Sequence, residues 1–203
     1  MSAIFKSTQQ AIYFSFLIES QPARSGGELG KLLDRLQLEA TGIRQAKEAG
    51  SIDFSGLRDL EIRGQAALVR AAVGRLPKSE SLAIRSRFGA ANPQRNAENK
   101  IVSAGYTNDR VNALAGLASY LAPAYGALDG TSVFLLVARI CGDCEELKPT
   151  YRAMESESKV SARTLGRFEE KIKKRIRALC NSGIESLTPN FVRDGLVEDK
   201  KSD

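Results

Sequence analysis

Apolar and polar positions recur along most of the chain with helical spacing, and the breaks between them fall at Pro and Gly. Ser7 or Thr8 is placed to cap a first helix running to about Glu19, with Ile12, Phe16 and Ile18 among its apolar residues. Residues 21–27, which hold Pro22 and the Gly26-Gly27 pair, read as a turn. Leu29, Leu32, Leu33, Leu36 and Leu38 follow at mostly helical spacing and end before Gly50. A longer pattern opens at Ser55 and carries Leu57, Leu60, Ala66, Val69, Val73 and Leu76. Pro77 ends it and can open a helix over 78–88, which Gly89 stops. Residues 90–98 are polar and loop-like around Pro93, and 99–121 return to a helical pattern rich in Ala and Gly. Pro123, Gly126 and Gly130 break that pattern. The run 131–140 fits a buried strand or a buried helix, and its helical neighbours favour helix. Residues 147–179 read as two helices with a turn at 158–161, and the tail from Val192 is expected to fray. The sum is an all-α protein.

Composition narrows the function classes. With 42% apolar and 27% charged residues in a chain of 203, there is material for an ordinary globular core. The longest apolar run is six residues, 133–138, far below the ~20 that cross a bilayer. The amino terminus lacks the pattern of a signal peptide, so a cytoplasmic protein without a membrane partner is expected. Histidine is absent, which removes the commonest neutral-pH acid/base and the commonest zinc ligand. No clustered metal-binding carboxylates or phosphate-cradling loop replace it, so neither an enzyme nor a cofactor is expected. The three cysteines cannot all pair within one chain, which suits a reducing compartment. Cys141-Gly142-Asp143-Cys144 invites a metal or redox reading. Without His, and with Cys180 remote, four zinc ligands are lacking, and no activating environment is visible for a redox pair. Buried or idle thiols are the plainer account.

The location of the charge says more than its sum. The chain carries +6, and residues 159–177 alone hold eight Lys and Arg against Glu169 and Glu170, also +6. The positive field therefore belongs to one helix. At about 100° per residue, Leu165, Phe168, Ile172 and Ile176 form one apolar stripe. Arg163, Arg167 and Lys174, flanked by Lys171 and Arg177, fall opposite it. Ser161 is placed as N-cap, its oxygen accepting the backbone N–H of Arg163 or Thr164. A basic helix face is often merely solvated. The preceding short apolar patch of Tyr151, Ala153 and Met154, then a turn, then Val160-Ser161, gives the order of a helix-turn-helix. That order braces a second helix for the major groove, so double-stranded DNA is the expected partner.

Two segments then look familiar. Leu76-Pro77-Lys78-Ser79-Glu80, followed by Ile84-Arg85-Ser86-Arg87-Phe88-Gly89, resembles the opening helix of promoter-reading region 4 of bacterial sigma factors. Val160-Ser161-Ala162-Arg163-Thr164-Leu165, followed by Phe168-Glu169-Glu170-Lys171-Ile172, resembles that region's recognition helix. In this chain about 70 residues separate them, where sigma factors have a short connection. A sigma-like helix-turn-helix opened by an insertion is similar to phage Q-type late-gene antiterminators, including prophage-derived cell-lysis regulators of this type. Tyr151-Arg152-Ala153 also looks like the start of their helix-turn-helix. The resemblance covers roughly 45 of the 203 residues. The well-known family member carries a cysteine-rich zinc finger in its insertion, which this chain lacks the ligands to match, so no metal is carried over.

The resemblance implies a sigma region 4-like helix-turn-helix interrupted by a helical insertion, with amino-terminal helices. The expected domains are a helical segment over 1–54, a DNA-binding domain over 55–191 with its insertion at about 90–148, and a flexible tail over 192–203. It also implies a transcription antitermination factor that binds DNA near a promoter and loads onto bacterial RNA polymerase. Read-through of terminators would follow, with nascent RNA at the exit channel a further partner the resemblance allows. An operator-bound activator or repressor that does not travel with polymerase is the alternative. Arg163 and Arg167 are the candidates for base-edge contact, a guanidinium fork matching guanine O6 and N7, or else for phosphates. Lys171, Lys173, Lys174 and Arg177 read as phosphate anchors. Arg85 and Arg87 either touch the DNA backbone or are ordinary surface residues. Gly166 allows close approach to DNA or serves packing. The aromatic residues Phe5, Tyr13, Phe14 and Phe16 are core, or a docking patch for polymerase if exposed.

Overall fold

The computed structural model describes residues 4–19, 59–91, 94–98, 101–103, 105–142 and 148–198, and among them the chain is mostly helical. The turn expected at 21–27, the leucine pattern after it, Leu57 and Cys144 lie outside the described residues. Two compact units divide the chain: Met1–Gly74 with Ile184–Asp203, and Arg75–Gly183. The expected boundary at 54/55 is thus not where the compact units part. No described helix is long and apolar enough to cross a membrane.

In the first unit, Ser7 starts α1 (Thr8–Glu19) because its Oγ accepts the Gln10 N–H at 3.1 Å, while Gln10 Oε1 accepts the Lys6 N–H at 2.8 Å. The helix is apolar nearly all round and is buried accordingly. Its buried Ser15 hydroxyl donates to the Ile12 carbonyl at 2.7 Å, so burial leaves it partnered. α2 (Asp59–Gly74) presents Ile62, Ala66, Val69 and Val73 to the core, and Arg70 donates to the Ser15 carbonyl of α1 at 2.8 Å. Leu60, expected among the apolar core positions, is instead 81% exposed, as is Leu68 at 63%. Both lie on the side of the helix away from Ile62, Val69 and Val73, so α2 has a second apolar face. Of the aromatic cluster, Phe5, Phe14 and Phe16 are core, with the Phe5 and Phe14 rings 5.6 Å apart, and Tyr13 is partly buried. The tail does not fray where expected. Leu196 and Val197 are buried, and Phe5 exchanges backbone hydrogen bonds with Leu196 and Glu198. An apolar pair with main-chain partners is held, whatever the charge around it.

The second unit begins with α3 (Lys78–Phe88), bounded by Pro77 and Gly89 as the sequence predicts. Residues 101–103 and 105–107 depart from the helical expectation. A small antiparallel hairpin forms from β1 (Gln94–Arg95) and β2 (Ile101–Ser103), with Gln94 opposite Ser103. The β-branched pair Ile101-Val102 suits a strand, and Gly105 at φ 55° ends it in a conformation that other residues avoid. α4 (Asn108–Leu121) therefore starts only where Thr107 caps it, accepting the Arg110 N–H at 3.3 Å. A 3₁₀ turn over Ala122–Tyr125 follows, then α5 (Gly130–Cys141), so the ambiguous apolar run is helix. Asp129 caps α5 by accepting the Ser132 N–H at 2.8 Å.

One buried cation organises this unit. Arg110 is fully buried, its Nε donating to the Ser86 carbonyl at 3.1 Å and an Nη donating to the Cys141 carbonyl at 2.7 Å. Both acceptors lie in the last turns of helices, where unpaired carbonyls and the helix dipole favour a positive charge. Gly89 makes room for it: a Cβ there would stand 2.9 Å from Arg110 Cγ and 2.4 Å from the Arg85 carbonyl. The core beside it joins Leu114, Leu117, Val133, Leu136 and Val137 to Met154, Leu165, Ile172 and Ile176 from the last two helices. Each such aliphatic side chain contributes about 1.5–3 kcal/mol when fully buried.

Candidate nucleic-acid interface

Thr150 starts α6 (Tyr151–Ser158) by accepting the Ala153 N–H at 3.2 Å. Only residues 159–161 separate it from α7 (Ala162–Arg193). Lys159 ends α6 in the left-handed conformation, φ 58°, with its N–H on the Glu155 carbonyl. Ser161 caps α7: its Oγ accepts the Thr164 N–H at 3.3 Å and lies 2.9 Å from the Thr164 hydroxyl. The predicted short helix, turn and capped basic helix are all present. α7 runs on past Leu179 through Pro189, longer than the sequence pattern indicated.

A left-handed Lys strains this turn by about 1 kcal/mol relative to Gly. Lys159→Gly should raise stability by about 0.5–1 kcal/mol in urea unfolding, the relieved strain being partly offset because Gly gains freedom in the unfolded chain. A loss of stability would mean that the Lys159 side chain holds the turn.

The faces of α7 are sorted as the spacing requires. Leu165, Ile172 and Ile176 are buried and Phe168 is partly so, while Arg163, Arg167, Lys171, Lys174 and Arg177 are exposed, together with the Ser161 cap. Arg175 is exposed as well, so six cations within 163–177 face solvent from one helix. Lys173 is less free, bonded to Glu170 at 3.4 Å. In the short patch before the turn, Met154 is buried and Tyr151 partly so, but Ala153 is exposed. Gly166 faces Tyr151, whose ring and hydroxyl would lie 3.8 Å from an added Cβ, so it sits toward α6.

Three side chains distant in sequence fix α6 against α7. Tyr151 donates its hydroxyl to Glu169 Oε2 at 2.5 Å, and Arg139 from α5 donates Nε to the same oxygen at 3.1 Å. Arg139 also donates to the Pro149 carbonyl at 2.8 Å, and its guanidinium lies 4.7 Å from the Tyr151 ring centre. The hydrogen bond to Glu169, then burial, pushes the Tyr151 phenol above its ordinary value. Glu169 therefore points its charge inward, and the outer face of α7 keeps its positive sign. Sequence inspection missed this brace because its members are 18 and 30 residues apart.

Arg85 and Arg87 stand elsewhere, on α3. Arg85 forms an ion pair with Asp109, and Arg87 lies over the Phe88 ring and reaches the Cys180 thiol. Both are engaged within the unit. No family model matches the chain, and no curated protein is significantly similar to it. The interface therefore rests on its own geometry.

Cys141 and Cys180 are both buried. Burial pushes Cys180 up to about 11, with Arg87 working the other way. That lies above its ordinary value of 9.0, so folding favours the thiol. This contribution to stability is complete below about pH 9 and is lost as pH rises from there through about 11. In mildly alkaline buffer, iodoacetamide should leave Cys180 unlabelled in the folded chain and label it in urea, as read by peptide mass. Labelling of the folded chain at the unfolded rate would contradict the burial.

Proposed function

We propose that the chain is a sequence-specific, double-stranded DNA-binding protein of transcription, with α6 and α7 as its helix-turn-helix. The supporting observation is the exposed row of Arg163, Arg167, Lys171, Lys174 and Arg177 on a helix whose other face is core. A three-residue turn and the Arg139–Glu169–Tyr151 brace support the second helix, as a recognition helix requires. Arg163 and Arg167, in the first two turns, are the base readers, and the later cations hold phosphates. Ser161 secures the start of the reading helix.

The likeness of 76–89 and 160–172 to sigma region 4, with an insertion between them, supports the finer reading. The protein would be an antitermination factor that loads onto bacterial RNA polymerase near a promoter and carries it past terminators. Crosslinking the protein along its host genome during active transcription tests this. Occupancy starting at one promoter and continuing through downstream genes is the expected result. A sharp peak confined to the binding site would overturn the travelling mechanism and leave an operator-bound regulator.

A further inference from the structure

The two flanks of α7 differ in charge, and the difference has a structural origin. On the side facing α6 lie Gly166, Glu169, Glu170, Lys173 and Arg177, so acids and bases are mixed there. On the opposite flank, about 100° per residue places Thr164, Arg167, Lys171, Arg175 and Ala178, and no acid. Arg167, Lys171 and Arg175 are all exposed and repeat every fourth residue, a cationic row roughly 12 Å long at 1.5 Å rise per residue. Beside this row stands the 3₁₀ turn of the insertion. Its Tyr125 ring meets Phe168 edge-on at 6.0 Å, and Lys171 Nζ lies 5.4 Å from the same Phe168 ring centre. Tyr125 is half-buried, its phenol raised by burial and drawn back by the charge of Arg175. Asp129, beyond this turn, caps α5.

We propose that Arg175 of α7 and Tyr125 of the insertion form a second phosphate-binding strip with Lys171, gripping one DNA strand beside the reading face. The proposal rests on the DNA-binding reading above and adds two residues that the sequence did not single out for contact. The cationic row spans the rise of about three phosphates of one strand, which advance about 3.4 Å each. A phenol held beside them at a ring edge can donate to a phosphate oxygen without adding charge. The insertion then becomes part of the interface and not a spacer between two sigma-like segments.

The test uses the full chain and two three-turn duplexes, one of arbitrary sequence and one from the mapped site, titrated over a range of salt. Arg175→Ala, on an exposed position, should weaken both duplexes alike by several-fold and reduce the slope of log K against log salt by about 0.9. Tyr125→Phe, which keeps the contact with Phe168, should weaken both duplexes while leaving the slope unchanged. Arg163→Ala serves as the reference for the reading face. If Arg175→Ala and Tyr125→Phe bind as the unaltered chain does while Arg163→Ala weakens, the strip is overturned and the DNA reading stands. If the unaltered chain binds neither duplex, the DNA reading fails and the strip falls with it.

Discussion

Arg110→Ala is expected to lower stability by about 3–5 kcal/mol in urea unfolding followed by circular dichroism. The change removes two charge-assisted hydrogen bonds, each about 1.5–3 kcal/mol, and the packed stem beneath Gly89. Alanine has no charge to desolvate, which offsets part of this loss, but the Ser86 and Cys141 carbonyls lose their donor. The guanidinium plane also lies 4.3 Å from the Tyr106 ring centre, an attraction that alanine lacks. Against a total of about 5–15 kcal/mol, such a loss threatens the folded state at physiological temperature. Arg110→Lys should fall between the two, because a lysine keeps the charge but not the fork that spans two carbonyls. A loss below about 1 kcal/mol for the alanine variant would show that water replaces the guanidinium at little cost.

The second large effect concerns recognition. Replacing Arg163 and Arg167 together by alanine should abolish preference for the mapped site and leave the fold intact. Each bidentate contact to a base is worth about 1–3 kcal/mol of discrimination, so the ratio of specific to arbitrary-sequence binding should fall about 30-fold or more. Both side chains are exposed, so thermal unfolding should move little. Retained preference in the double variant would move base reading to other residues. If both affinities fell equally, the two arginines would be phosphate anchors.

The sequence alone determined the helices whose signals are local. Pro77 and Gly89 bound α3, Ser161 caps α7, and the spacing of Leu165, Ile172 and Ile176 separates the buried from the basic side. These depend on residues within a turn or two, and the chain carries them without help from distant parts. The +6 of residues 159–177 was legible for the same reason. The pairing of 94–95 with 101–103 was not, because 90–98 read as a loop and the later strand falls within an Ala- and Gly-rich helical pattern that only strand pairing overrides. Tertiary structure alone decided what the cations of α3 meet. Arg85 and Arg87 read like their counterparts on α7, yet Asp109 and the Cys180 side of α7 engage them. It alone buried Arg110 across two helix ends and turned Glu169 inward against Arg139 and Tyr151. Such pairings join residues tens of positions apart, and no periodicity records them. Local spacing assigns a side chain to a face of its own helix, and only packing determines what that face meets.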